Sequence, residues 1–178
     1  MLARCSCWLL VALLACSGAP AALADEVQVG ERAPLFELPG TDGKTHNLQD
    51  YLGRQVVVLA WFPKAFTSGC TAECQSMRDN GQAIREFSVA YFAASCDTPE
   101  INKKFAGSLA LDYPILSDPD RDVAKAYGVV DQERKNPARW TFYIGLDGKI
   151  LAIDKQVMTG QHGRDIAAKL QELGVPKR

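Results

Sequence analysis

The run Val56-Val57-Val58-Leu59-Ala60 has no polar residue at either odd or even positions, and it stops shortly before Pro63. A β-strand alternates its side chains between two faces, so a strand apolar on both must be covered on both. That makes Gln55 to Phe62 a central strand, of the parallel kind, in a layered α/β domain. Beyond the Pro-containing loop the spacing turns helical and is expected to run through Met77 and Arg78. Cys70 therefore falls in or next to a first helical turn, where free backbone N–H groups and the helix dipole favour an anion. A cysteine with an ordinary pKa near ~8.5 is only slightly ionised at neutral pH, and a helix start or a nearby cation lowers that value. Cys70 is a candidate nucleophile on these grounds alone.

The remaining segments supply the layers. Val27 to Leu38 carries Pro34 and suits an edge strand or extended lead-in, and Thr41-Asp42-Gly43-Lys44 is a turn whose second arm would be Lys44 to Leu48. Asn80-Gly81 interrupts the helix after Cys70 before Ile84 and Phe87 resume apolar spacing. Val89 to Ser95 reads as the next buried strand. Asp97-Thr98-Pro99-Glu100 opens a helix with Ile101 and Phe105 on one face. Tyr113 to Leu116 is a short strand, and Ser117-Asp118-Pro119-Asp120 starts a helix ending near Gly128. Trp140 to Ile144 and Lys149 to Ile153 form a hairpin through Asp147-Gly148, and a last helix spans about Gly163 to Leu173. The order predicts an α/β fold: a thioredoxin-like sandwich with a central mixed β-sheet flanked by helices. Cys70 and Cys96 would both lie at carboxyl ends of its parallel strands, where reactive groups gather.

Residues 1–24 have the pattern of an export signal. Arg4 precedes the apolar run Trp8 to Ala15, and small residues lead to Ala22-Leu23-Ala24. The apolar run is far shorter than the ~20 residues of a membrane span. Residues 25–178 are then one domain, exported to a periplasmic or extracellular space. Leu13-Leu14-Ala15-Cys16 is a competing lipoprotein-type cut that would leave a lipid anchor on Cys16. Net charge is −1, which gives no electrostatic case for nucleic acid or a membrane surface. Of six cysteines, Cys5, Cys7 and Cys16 lie in the leading segment, leaving Cys70, Cys74 and Cys96. An odd number in an exported domain points to a reactive thiol rather than a stapled framework. His46 reads as a loop or edge-strand residue and His162 as a surface residue.

Pro63-Lys64-Ala65-Phe66-Thr67-Ser68-Gly69-Cys70 fills every fixed position of the pattern P-x-x-x-T/S-x-x-C, and on these residues the chain resembles the peroxiredoxins, specifically the peroxiredoxin Q or bacterioferritin-comigratory-protein type. Glu73, Asp97-Thr98-Pro99-Glu100, Leu116-Ser117-Asp118-Pro119-Asp120 and Arg139-Trp140-Thr141-Phe142 extend the likeness over roughly Gly30 to Ile153. The resemblance implies a thiol-specific peroxidase that reduces hydrogen peroxide and organic hydroperoxides through a cysteine sulfenic acid, serves antioxidant defence, and is recycled by thioredoxin or another thiol reductant. It implies no metal, no organic cofactor and a monomer. Cys70 would attack the peroxide, Arg139 would lower its pKa and donate to the peroxide, and Thr67 would orient thiolate and substrate or cap the helix. Pro63 would shield the site, and Glu73 would hold Arg139 or a second arginine.

The resolving step departs from the family pattern. Many members place the second cysteine five residues on, whereas here Cys74 comes four on and Gln75 holds the fifth position. On an intact helix, i,i+4 Cβ atoms are ~5–6 Å apart, too far for a disulfide that wants ~3.8 Å. Cys74 is the favoured resolving residue if the first turn opens, Cys96 is its rival, and an external thiol is the third route. The enzymatic alternative is a cell-envelope thioredoxin-like thiol-disulfide oxidoreductase, which normally uses Cys-x-x-Cys rather than Cys-x-x-x-Cys. A redox-sensing or metal-binding module is the non-enzymatic one, and three cysteines with two remote histidines make a poor metal site.

Overall fold

The computed structural model describes residues 27–178. The expected export signal and Cys16 lie outside them. Five strands form one mixed sheet, in the order β5 (Ile115–Ser117), β4 (Val89–Ser95), β3 (Val56–Trp61), β6 (Thr141–Ile144), β7 (Ile150–Asp154). The pairs β3–β4 and β4–β5 are parallel, and β3–β6 and β6–β7 are antiparallel. The all-apolar run is the central strand and every residue of β3 is buried. Leu38 and His46 pair between β1 (Glu37–Pro39) and β2 (Thr45–Asn47), the separate hairpin read from the turn at Thr41 to Lys44.

Alternation along β3 divides the interior in two. Val56, Val58 and Ala60 face a core with Cys70, Cys74 and Met77 of α1 (Ser68–Asp79), Ile84 of α2 (Gly81–Arg85), Phe105 of α3 (Pro99–Ser108), and Ile166 and Leu170 of α5 (His162–Glu172). Val57, Leu59 and Trp61 face the other core, with Phe36 and Leu38 from the hairpin region, Ala124 of α4 (Asp122–Ala126), and Tyr127. At ~25 cal/mol per Å² of apolar surface removed from water, two cores sharing one strand are the main stabilising term of such a layered domain. No helix of the described residues is long and apolar enough to cross a membrane.

Two local features set the geometry of the site. The helix break expected at Asn80-Gly81 is present, α1 ending at Asp79 and α2 starting at Gly81. The second is Gly163, near the start of α5. A Cβ there would sit 2.2 Å from the carbonyl oxygen of Ser76 in α1, closer than any side chain permits. Only glycine lets the two helices touch backbone to backbone at this point, and the Gly163 N–H donates to Ser76 Oγ at 3.1 Å. The contact seats the start of α5 against the middle of α1.

Candidate active site

The loop after β3 is held from below. The Ala65 N–H donates to Asp97 Oδ2 at 2.8 Å, and Ser95 Oγ donates to the same oxygen at 3.0 Å. Ser95 belongs to a buried polar set in which Asn102 Nδ2 donates to Ser95 Oγ at 3.0 Å and to Ser117 Oγ at 2.9 Å. The carboxyl ends of β4 and β5 thus anchor the segment that carries Pro63 and Thr67. Phe66 has φ 63°, a left-handed conformation costing a non-glycine residue about 1–2 kcal/mol, and its ring rests on Phe105 at 5.0 Å. Asp97→Ala leaves the Ala65 amide without its charged acceptor. We expect a stability loss of about 1–3 kcal/mol, read as a lower urea midpoint, and a reduced kcat/KM for peroxide. An unchanged kcat/KM would mean that the loop is shaped without this carboxylate.

Thr67 is the N-cap residue of α1, in extended conformation, but its side chain does not cap the helix. Its hydroxyl donates back to the Lys64 carbonyl at 3.0 Å, closing the loop on itself. The first intrahelical bond runs from the Thr71 N–H to the Thr67 carbonyl at 2.9 Å, so Cys70 lies in the turn where the helix presents its positive end. Cys70 is 1% exposed. Arg139 Nη2 donates to its sulfur at 3.4 Å across 69 residues of sequence. The antiparallel register explains the meeting: Ala60 near the end of β3 pairs with Thr141 at the start of β6, and Trp61 N–H donates to the Trp140 carbonyl at 2.9 Å. Arg139, two residues before β6, therefore comes to lie beside the loop that follows β3.

Glu73, one turn beyond Cys70, is 1% exposed and bonded through Oε2 to Arg139 Nη1. Its other oxygen, Oε1, faces His162 Nδ1 at 3.0 Å. The expectation of a surface histidine at 162 is wrong. The ring is 1% exposed, because the Gly163 contact draws the start of α5 onto α1, and Nε2 lies 2.8 Å from Thr141 Oγ1. Burial pushes the His162 pKa down to about 4, with Arg139 acting in the same direction and Asp154 and Asp165 opposing it. A glycine in the second position of a helix was the one sequence sign of such a close approach, and it did not indicate the partner. His46 lies on β2, as expected for an edge-strand residue. Its Nδ1 meets Tyr51 Oη at 2.7 Å, its Nε2 meets Asp42, and its ring packs on Phe92 in the core opposite Cys70.

A thiol at a helix start, touched by a guanidinium that a buried carboxylate holds, is an arrangement for stabilising a sulfur anion. Residues 29–153 match the model of the AhpC/TSA family. The chain belongs to that family. Peroxiredoxin Bcp of Escherichia coli is 34% identical over 142 residues, 76% of this chain and 90% of that protein. Peroxiredoxin Bcp of Bacillus subtilis is 31% identical over 153 residues, 83% and 95% respectively. Among solved structures, peroxidoxin BcpB of Mycobacterium tuberculosis aligns with a TM-score of 0.75 at 31% identity, over 83% of this chain and 98% of that one. A PrxQ mutant of Xylella fastidiosa, 22% identical, shares the fold with a TM-score of 0.77 over 84% of this chain and 99% of that one. The chain is a peroxiredoxin of the Bcp type on a thioredoxin-like fold, and its activity is that of a thiol peroxidase.

In this peroxiredoxin the other two described cysteines are free thiols in different settings. Cys74 shares α1 and its buried face with Cys70, is 0% exposed, and its carbonyl accepts from Tyr113 Oη at 3.0 Å. Burial pushes its thiol up to about 12. Cys96 follows β4 and packs against the core on the opposite side of the sheet from Cys70. Its thiol is also raised to about 12, by burial and then by Asp118. Arg121 lies beside Cys96 and pulls its pKa down, but burial and Asp118 outweigh it. For Cys74 burial dominates, and the Tyr113 hydroxyl only partly offsets it.

Proposed function

We propose that Cys70 is the thiol oxidised by hydrogen peroxide and organic hydroperoxides. The observation that carries this reading is the Arg139 Nη2 contact to the Cys70 sulfur at the positive end of α1. The thiolate attacks one peroxide oxygen, an S–O bond forms as the O–O bond breaks, and the leaving oxygen departs as water or an alcohol after taking a proton. Sulfur is oxidised to sulfenic acid and the peroxide is reduced. Charge that starts on sulfur moves to the leaving oxygen, so a donor group reaching both ends stabilises the transition state more than the ground state. Arg139 is that donor. Thr67, whose hydroxyl now donates to Lys64, turns to the bound peroxide. Pro63, half-buried at the bend after β3, limits water at the loop, and Glu73 positions Arg139.

Cys74 returns the enzyme to its starting state after the first turn of α1 opens. Its thiolate attacks the Cys70 sulfur, an S–S bond forms as the S–O bond breaks, and the oxygen leaves as water after taking the proton the Cys74 thiol gave up. Thioredoxin or another dithiol then reduces the Cys70–Cys74 disulfide. The opening also relieves the burial that keeps the Cys74 thiol protonated. The opposite-face position of Cys96 speaks against that residue as the partner and leaves an external thiol as the second route. The resemblance to the peroxiredoxin Q type is the support for a monomer as the working unit. The pattern in residues 1–24 supports export to the periplasm or beyond. Defence against peroxide outside the cytoplasm is the corresponding role.

The test treats reduced protein with one equivalent of hydrogen peroxide and maps the product by peptide mass spectrometry. A Cys70–Cys74 link is expected. A Cys70–Cys96 link overturns the choice of partner, and oxidation elsewhere that leaves Cys70 a free thiol overturns the site. Insulin reduction with little peroxide consumption would favour the thiol-disulfide oxidoreductase instead.

A further inference from the structure

Glu73 Oε1 and His162 Nδ1 are both buried, and neither has a well-formed hydrogen bond although they lie 3.0 Å apart. An ionised carboxylate is an acceptor only, so the sign of this contact depends on where the imidazole proton sits. With the proton on Nε2, two lone pairs face each other and two buried polar atoms stay unsatisfied, which is costly in a site shut off from water. With the proton on Nδ1, His162 donates to Glu73, and Nε2 becomes the acceptor for the Thr141 hydroxyl 2.8 Å away. All four polar atoms then have partners. The pair stands at hydrogen-bond distance without a formed bond, and the soft terminal torsion of the glutamate is the freedom through which it aligns.

The consequence reaches the sulfur. A guanidinium and a carboxylate left to themselves pair through two parallel N–H···O bonds. Such a pairing would draw Nη2 of Arg139 onto Glu73 and away from Cys70. Here Oε1 is turned to His162 and Arg139 has Oε2, through Nη1, leaving Nη2 on the Cys70 sulfur at 3.4 Å. We propose that His162 is a positioning residue of this peroxidase, whose Nδ1–H holds one oxygen of Glu73 and so keeps the Arg139 guanidinium divided between Glu73 and Cys70. The assignment rests on the reading of Cys70 and Arg139 as the reacting pair.

Two independent elements hold the ring in place. The Gly163 backbone lies against Ser76 of α1, and Thr141, two residues beyond Arg139, meets Nε2 from β6. The ionisable groups around it are Glu73 from α1, Arg139 before β6, Asp154 on β7 and Asp165 on α5 itself. Burial and Arg139 favour the neutral ring and the two aspartates oppose them. The role assigned to the ring depends on a proton at Nδ1 facing Glu73 Oε1 at 3.0 Å.

Three variants test this. His162→Phe keeps a ring of similar size without N–H, His162→Asn places an amide N–H near the Nδ1 position, and Thr141→Val removes the hydroxyl that fixes the ring's tautomer. The readouts are the pH profile of Cys70 alkylation by iodoacetamide in reduced protein, assigned by peptide mass spectrometry, and kcat/KM for hydrogen peroxide. In His162→Phe the alkylation profile is expected to move to higher pH and kcat/KM to fall roughly ten- to a hundred-fold. His162→Asn recovers most of both, and Thr141→Val shifts the profile the same way by less. A folded His162→Phe with the parent profile and kcat/KM overturns the proposal, as does equal impairment in His162→Asn and His162→Phe. If His162→Phe does not fold, Thr141→Val decides, and an unmoved profile there overturns the proposal. The alkylation arm contains no peroxide. Failure of the Cys70 assignment would instead show as peroxide consumption by Cys70→Ser, so the two failures are distinct.

Discussion

Cys70→Ser is expected to consume hydrogen peroxide no faster than buffer containing the same thiol reductant. A serine hydroxyl beside Arg139 stays protonated at any working pH and is a weak nucleophile without a general base. Neither remaining described cysteine can take its place in the folded protein. The Cys74 thiol is fully buried and raised to about 12, and Cys96 lies on the far face of the sheet with its thiol raised to about 12 as well. The measurement is peroxide loss with dithiothreitol as reductant, beside an insulin reduction assay. Peroxide consumption at the parent rate by Cys70→Ser would remove Cys70 from the mechanism. The serine is close to isosteric, so a fold change is not a competing explanation, and circular dichroism verifies this.

Arg139→Met is the second large effect, with kcat/KM for peroxide expected to fall about 10²- to 10³-fold. That range corresponds to the roughly 3–4 kcal/mol lost when one preorganised donor is removed from a developing anion. Methionine keeps the length and packing of the stem but supplies neither charge nor N–H. The same change leaves Glu73, 1% exposed, without its cation. Breaking a buried ion pair from one side costs about 3–5 kcal/mol, and the 22% exposure of the Arg139 side chain argues for less than that here. A lower urea midpoint should therefore accompany the kinetic loss. Arg139→Lys separates the two contributions. It keeps a charge near Glu73 but has no planar fork to divide between Glu73 and Cys70, so stability should recover more than kcat/KM. An Arg139→Met enzyme within about two-fold of the parent kcat/KM would sink the proposed role.

The parts legible in the sequence are those whose physics is local. Strand β3 was visible because a run apolar on both parities has one stable setting. The break at Asn80-Gly81 and the hairpin turn at Asp147-Gly148, where Gly148 has φ 79°, were visible because backbone preference is a property of one or two residues. Thr98, read as a helix opener, accepts from the Ile101 N–H as a cap should. Thr67 did not follow the same rule. Its hydroxyl found the Lys64 carbonyl in a loop shaped by Asp97, a residue 32 positions from Ala65. The side of the sheet taken by Cys96 was equally out of reach. Alternation fixes its parity along β4, but which parity faces α1 depends on how the helices cross the sheet.

By itself, the sequence determined a strand, a proline loop and a helix start that together place a cysteine where a helix favours an anion. Each of those is set by residues within a few positions of one another. The tertiary structure decided what meets that cysteine. Arg139 arrives through the antiparallel register of β6 on β3, and His162 arrives because Gly163 lets α5 touch α1. Both contacts join residues far apart in the chain. Their formation rests on burial and close packing over whole layers, which no short stretch of sequence contains.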